Sequence, residues 1–172
     1  MTRERAAFRQ SASLLTAERL RTLVRYNSKT GIFTRNVRSS TAMPGNVAGS
    51  HCSNGYLEFR VDGRKYLAHR LAFLYTQGTW PIAEIDHVDN CPSNNRWNNL
   101  REATRSQNLA NTRARIGHKG VCWHKNRKKW YALIKVSGKN HHLGCCDTPE
   151  AAYELYIAAT KRLFGQYAKT KP

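Results

Sequence analysis

Acidic residues are scarce in this sequence. Eleven Asp and Glu stand against 29 Lys and Arg, a formal charge of +18 at pH 7, and no acidic side chain occurs between Glu102 and Asp147. Such a balance predicts attraction to polyanions, with nucleic acid ahead of a membrane surface. Long apolar runs are missing as well: none approaches the roughly 20 residues needed to cross a bilayer. The opening MTRERAAFRQSASLL is basic but has no apolar centre of the kind a signal peptide needs. A soluble, intracellular protein is expected. Cysteine is sparse and scattered (Cys52, Cys91, Cys122, Cys145, Cys146). No pair has Cys-x-x-Cys spacing, which argues against a zinc knuckle, and adjacent cysteines such as Cys145 and Cys146 rarely bridge without strain. Reduced thiols follow, with no redox role. Heptads, low-complexity tracts and repeat units are also lacking.

What is present fits 172 residues divided into one ordinary domain or two or three small ones. A helix is predicted in SASLLTAERLRTLVRYN, with Leu15, Leu20 and Val24 on one side, then a turn and short strand in SKTGIFTR. The Ser-, Gly- and Asn-rich stretch NVRSSTAMPGNVAGSHCSNG reads as irregular. YLEFRV and RKYLA flank Asp62-Gly63, a strong hairpin signal. A helix around HRLAFLYTQG closes at Gly78, with Pro81 just beyond. His69 at its start is read as a packed residue. Further on come a helix near TRSQNLANTRARI, strands in KGVCWHK, KKWYALIKV and KNHHLGC, and a final amphipathic helix, TPEAAYELYIAATKRLFG. Thr148 suits the N-cap of that helix, Pro149 its first position and Gly165 its end.

Residues 84–108, EIDHVDNCPSNNRWNNLREATRSQN, hold an Asp-His pair and six asparagines. A polar loop is the plain reading, because Asn favours turns and tolerates left-handed backbone. The sharper reading is catalytic. Phosphodiester hydrolysis needs a base to deprotonate water, which a His titrating near neutrality can supply. It also needs a hard cation, which takes oxygen ligands of the Asp and Asn type. Asp86 and His87 sit at a strand end, pointing to opposite faces unless a bulge re-aims one.

Asp86-His87, Asn94-Asn95-Arg96, Asn98-Asn99-Leu100-Arg101 and Ser106-Gln107-Asn108 resemble the HNH motif of phage and intron-encoded endonucleases with a ββα, or His-Me, finger. Ala68-His69-Arg70-Leu71-Ala72 and Gly78-x-x-Pro81 fit the same pattern over about residues 26–111. The resemblance implies His87 as general base, Asp86 and Asn108 as ligands of one divalent metal, and Asn99 as the brace of the loop that orients His87. A neutral Asn oxygen ligand suits Mg²⁺ or Mn²⁺ more than Zn²⁺.

In the last third, Lys119, Lys125, Arg127, Lys128, Lys129, Lys135 and Lys139 interleave with Trp123, Trp130 and Tyr131. A basic sheet of this kind is a nucleic-acid footprint and can enter a major groove. Alternation puts Trp130, Ala132 and Ile134 on the face toward the final helix, against Ala151, Ala152, Leu155 and Ala159. Tyr131, Leu133 and Lys135 take the other face, with Lys119 beside them. Lys119-Gly120-Val121, Lys129-Trp130-x-Ala132-x-Ile134, His142-Leu143-Gly144, Glu150-Ala151-Ala152-Tyr153 and Phe164-Gly165 resemble the plant APETALA-type, or ethylene-response-factor, DNA-binding domain. That likeness implies base or phosphate contacts from Lys119, His124, Lys135, Asn140 and His142. Family arginines are replaced by Cys122, His124 and Asn140, so the plant target sequence does not carry over.

The expected fold is therefore α+β: a ββα-metal His-Me finger followed by a three-stranded antiparallel sheet packed on one helix. The expected segments are 1–50 (helix and irregular chain), 51–112 (nuclease) and 113–172 (DNA-binding). The expected activity is that of a sequence-directed endonuclease, phage or homing type, nicking double-stranded DNA with one Mg²⁺ or Mn²⁺ and no zinc. No membrane and no obligatory protein partner is expected, and the setting implied by resemblance is the cytoplasm of a phage's bacterial host. The alternatives are a DNA-binding regulator with a silent finger, or an RNA-binding module.

Overall fold

The computed structural model describes residues 15–38, 42–112 and 117–168. The chain forms two compact units, one within Met1–Ile82 and Pro92–Leu100, the other within Ala83–Cys91 and Arg101–Pro172.

In the first unit, the Thr16 hydroxyl accepts from Arg19 N at 3.2 Å and starts helix α1 (Ala17–Leu23). The helix is shorter than the sequence predicts. Val24 and Tyr26 bury alternate side chains in a strand, β1 (Val24–Asn27), which pairs antiparallel with β2 (Ile32–Arg35). Cross-strand pairing of β-branched and aromatic side chains wins here over helical periodicity. Residues 11–14 of the expected helix lie outside the described residues. The stretch read as irregular contains two brief strands. β3 (Val47–Ala48) joins the edge of β2, and β4 (Ser50–His51) pairs with β5 (Leu57–Val61).

The hairpin from β5 to β6 (Arg64–Leu67) turns on Asp62 at φ 47° and Gly63 at φ 77°, the left-handed pair a two-residue turn requires. Helix α2 (Ala68–Gln77) ends at Gly78 with φ 80°. Leu20, Val24, Leu71 and Leu74 are fully buried. The ring of Phe33 stacks on Tyr26 at 4.7 Å and tilts against Phe59 at 5.2 Å, making an aromatic centre to the core. His69 is buried, its ring 5.1 Å from that of Tyr56.

This unit also holds the asparagine-rich segment 92–100. Tyr26 Oη donates to Asn95 O at 2.7 Å, Trp97 N donates to Ser28 O at 2.9 Å, and the Trp97 ring lies 5.6 Å from Phe73. Gly31, at φ 75°, is the place where the two backbones meet. A Cβ there would come within 2.5 Å of Arg96 N, so no other residue fits without displacing the segment.

The second unit begins with β7 (Glu84–His87), paired with β8 (Leu100–Ala103) in a two-stranded sheet. Helix α3 (Arg105–Asn111) follows. Thr104 and Gln107 close a reciprocal capping box: Gln107 N donates to Thr104 Oγ1 at 3.3 Å, and Thr104 N to Gln107 Oε1 at 2.8 Å. Residues 113–116 of the expected helix lie outside the described residues.

Next comes an antiparallel sheet in which β10 (Lys129–Val136) lies between β9 (Val121–His124) and β11 (Lys139–Cys146), with a register shift between Ala132 and Leu133. Helix α4 (Pro149–Phe164) packs on it, capped by Thr148 Oγ1, which accepts from Ala151 N at 3.2 Å. A three-stranded sheet on one helix is the architecture expected. The helix face is turned by about one position, however. Ala152, Tyr156, Ala159 and Thr160 are buried, while Leu155 is exposed. Gly120 explains the shift: a Cβ there would sit 2.2 Å from the Tyr156 ring, so the missing side chain admits the phenol. Ala110 of α3 joins Ile134, Ala152 and Phe164 in the same core. The finger helix and the sheet–helix module thus share one interior, and the boundary expected at residue 112 runs beside it.

Candidate nuclease site

Strand β7 and helix α3 meet in a ladder of two rungs. Glu84 and Asp86, two apart on the strand, share a face; Asn108 and Asn111, three apart on the helix, do likewise. Asn108 Nδ2 donates to Glu84 Oε2 at 2.7 Å. Asn111 Nδ2 lies 3.0 Å from each oxygen of Asp86 and 2.8 Å from His87 O. Asn90, at φ 59°, turns the chain just past β7; its backbone N donates to His87 O at 2.9 Å and its Nδ2 to Asn111 Oδ1 at 3.2 Å. The backbone that carries the imidazole is therefore held from two directions.

Asp86 is 4% exposed and lies against a cation. Arg101 donates to Asp86 Oδ2 from Nε at 2.9 Å and Nη2 at 2.8 Å. Its third nitrogen, Nη1, donates to Gln166 O at 2.8 Å, and its guanidinium carbon sits 4.2 Å over the Tyr167 ring. Tyr167 Oη in turn donates to Glu102 O at 2.9 Å. A desolvated carboxylate needs such partners, since the burial of an unpaired charge is strongly unfavourable.

Of the residues named from the sequence, Asp86, His87 and Asn108 lie in this unit, with Asp86 and His87 adjacent at the end of β7 and both buried. Asn108 bonds Glu84 in place of Asp86. Asn99 belongs to the other unit, where its Nδ2 donates to Asn94 O at 2.8 Å and closes the 94–99 loop on itself. Sequence reading missed two residues, Asn111 and Arg101. Asn111 had a usable signal, one helical turn beyond Asn108 on the same face. Arg101 had only its place in the strand beside β7.

The donor chemistry suits a hard divalent cation. Among the described residues Asp86 Oδ1 accepts only from Asn111, and with Nδ2 held by Glu84 the Asn108 amide offers its Oδ1. Among the described residues no group of three or more His, Cys, Asp or Glu side chains could hold a metal ion. Any ion here would rest on one carboxylate, amide oxygen and water.

A strand pair and helix, with an Asp-His pair at the strand end and asparagines facing it, make a ββα region of the kind an HNH-type finger has. Residues 66–110 match the family model described as HNH endonuclease. Protein 3.8 of Escherichia phage T7 is 33% identical over 89 residues, covering 49% of this chain and 73% of that protein. The chain belongs to the HNH endonuclease family and is related to that phage protein. No solved structure matches it, and the family model stops short of the C-terminal sheet. No helix among the described residues is long and apolar enough to cross a membrane.

On the sheet, paired positions share a face, so His124, Lys135, Asn140 and His142 stand on the side away from α4 with Tyr131. The Tyr131 ring lies 5.8 Å from His124 and 6.1 Å from His142, a row of three rings across the strands. Lys119 is elsewhere. Its Nζ donates to Leu109 O, to Ala110 O at 2.9 Å and to Thr112 O at 2.7 Å. It thus neutralises the carbonyl end of α3.

Proposed function

We propose that this protein is a metal-dependent endonuclease that nicks duplex DNA. The carrying observation is the buried Asp86-His87 pair at the end of β7, inside the region that matches the HNH family and clamped by Asn111 just beyond it. An imidazole nitrogen of His87 takes the proton from the attacking water. Asp86 and Asn108 are the residues to hold one Mg²⁺ or Mn²⁺, which when bound supplies neutralisation of phosphate charge and of the leaving oxygen. Asn111 and Asn90 fix the His87 carbonyl and so aim the imidazole. Asn99 braces the preceding loop through Asn94. The APETALA-like face of the sheet, with Lys135, Asn140, His124 and His142, lies on the duplex. One finger per chain makes a nick the product, and kinship with a phage protein suits a phage enzyme acting inside a host cell.

A second reading has its own observation: the Arg101 guanidinium sits on Asp86 Oδ2, where a cation would compete with it. A regulator with a silent finger would keep that pairing. Supercoiled plasmid incubated at low salt with Mg²⁺ or with EDTA separates the two. Conversion to open circles that needs Mg²⁺ and is abolished in His87→Ala supports the nuclease. Duplex binding with no cutting of any substrate, including whole phage and host DNA, would support the regulator.

A further inference from the structure

Arg19, Arg35, Arg38, Arg60 and Lys65 line one groove of about 790 Å³ in the N-terminal unit, between α1 and the strands β2 to β6. Two carboxylates share the groove, and both are engaged. Asp62 accepts from Arg19 Nε at 3.0 Å and Nη2 at 2.9 Å, and Glu58 accepts from Lys65 Nζ. Arg35, Arg38 and Arg60 have no acidic partner among the described residues. Among the described residues the Arg60 side chain bonds only Gly63 O, at 3.1 Å. Arg35 Nε is shut off from solvent and has no hydrogen-bond partner among the described residues. A buried donor left unmade carries its full desolvation penalty, a situation native folds seldom keep without a ligand to relieve it.

The rest of the lining decides what that ligand is. Leu23, Val24 and Phe59 contribute apolar wall, which lowers the local dielectric and strengthens attraction for an anion. No Asn or Gln lines the groove and its one aromatic ring, Phe59, is buried in the wall, so neither amide readout of a base edge nor an open ring for stacking is offered there. Clustered guanidiniums recognise phosphate, and three of them, at the end of β2, just beyond it and on β5, span more than one. We infer that this groove clamps the sugar–phosphate backbone of duplex DNA, independently of sequence. The inference rests on the DNA reading above, and it gives the N-terminal unit a role in holding the substrate.

The test is the salt dependence of duplex binding by full-length protein carrying His87→Ala, so that nothing is cut. Each phosphate neutralised on B-DNA adds about 0.9 to the slope of log K against log salt. Removing all three charges with Arg35→Gln, Arg38→Gln and Arg60→Gln should therefore flatten the slope by about 2.7. Because Arg35 is partly buried, the double variant Arg38→Gln/Arg60→Gln, altering only exposed side chains, is measured beside it. Its slope should flatten by about 1.8. Duplex binding with an unchanged slope in both variants overturns the inference and leaves the nuclease reading intact. Failure of the parent protein to bind duplex DNA overturns both. Saturable binding of inorganic phosphate at constant ionic strength, lost in the variants while the DNA slope stays put, would make the groove a small-anion site and refute the backbone assignment.

Discussion

Arg101→Met tests whether the Asp86 carboxylate is shared between an internal cation and a metal. The substitution keeps an unbranched apolar stem, shorter than that of arginine, and removes the charge and its donors. Asp86 is then a 4% exposed carboxylate whose one remaining protein donor is Asn111 Nδ2 at 3.0 Å. Breaking a buried pair by deleting one partner costs roughly 3–5 kcal/mol. Asn111 stays, so the low end applies, about 3 kcal/mol, with the contact to the Tyr167 ring included. For a chain of this size that corresponds to a fall of about 6–12 °C in the melting transition in EDTA. A divalent cation should reverse most of the loss. At a hundredfold excess over its Kd a ligand confined to the folded state returns about 2.7 kcal/mol. The wild-type protein should gain less, because its cation must first displace Arg101. Thermal unfolding of both proteins in EDTA and in Mg²⁺ or Mn²⁺ is the assay, with Asp86→Asn/Arg101→Met as the control that removes the rescue. A deficit that is the same with and without cation would refute the shared-carboxylate argument. So would a deficit below about 1 kcal/mol, which is the scale of an exposed pair.

The remaining expectations concern the two lysines and one buried phenol. Lys135→Gln should weaken duplex binding and flatten its salt slope by about one unit, whereas Lys119→Gln should leave that slope nearly unchanged and destabilise the second unit by about 1–2 kcal/mol, since its ammonium is committed to the α3 carbonyls. Paired binding and denaturation measurements separate them, and equal slopes for the two variants would count against this division. Burial pushes the Tyr26 hydroxyl up to about 12 from its usual 10.0. A raised folded value means the contribution is fully present below about pH 10 and is lost as pH rises through about 12. Tyr26→Phe should remove that alkaline decline while losing the bond to Asn95 O; a wild-type stability curve flat from pH 9 to about 12 would contradict it.

Local signals were legible where the chemistry is local. Asp62-Gly63 announced the β5–β6 hairpin, Gly78 ended α2, and Thr148, Pro149 and Gly165 bracketed α4 almost to the residue. The Asp86-His87 pair with its spaced asparagines pointed to the finger. What escaped depends on partners far along the chain. Val24 and Tyr26 are helical in pattern until β2 is there to pair with them. Leu155 looked like a core position because nothing in α4 reveals that Gly120 makes room for Tyr156. Lys119 read as a surface cation because its acceptors are the carbonyls that end another helix. Arg101 lies next to a motif asparagine, yet its three engagements, Asp86, Gln166 and Tyr167, come from both ends of the second unit.

That last arrangement bears on how such a protein can be rebuilt. The turn Gly165–Tyr167 at the end of α4 supplies both the carbonyl and the ring that hold Arg101, and Phe164 just before it packs in the core with Ala110 of the finger helix. The C-terminal sheet and helix are thus masonry for the HNH-like region and do not form a detachable module. Exchanging them for another module would alter the electrostatics of the Asp86 carboxylate, so a domain swap requires that the new module bring its own carbonyl and ring to the same guanidinium.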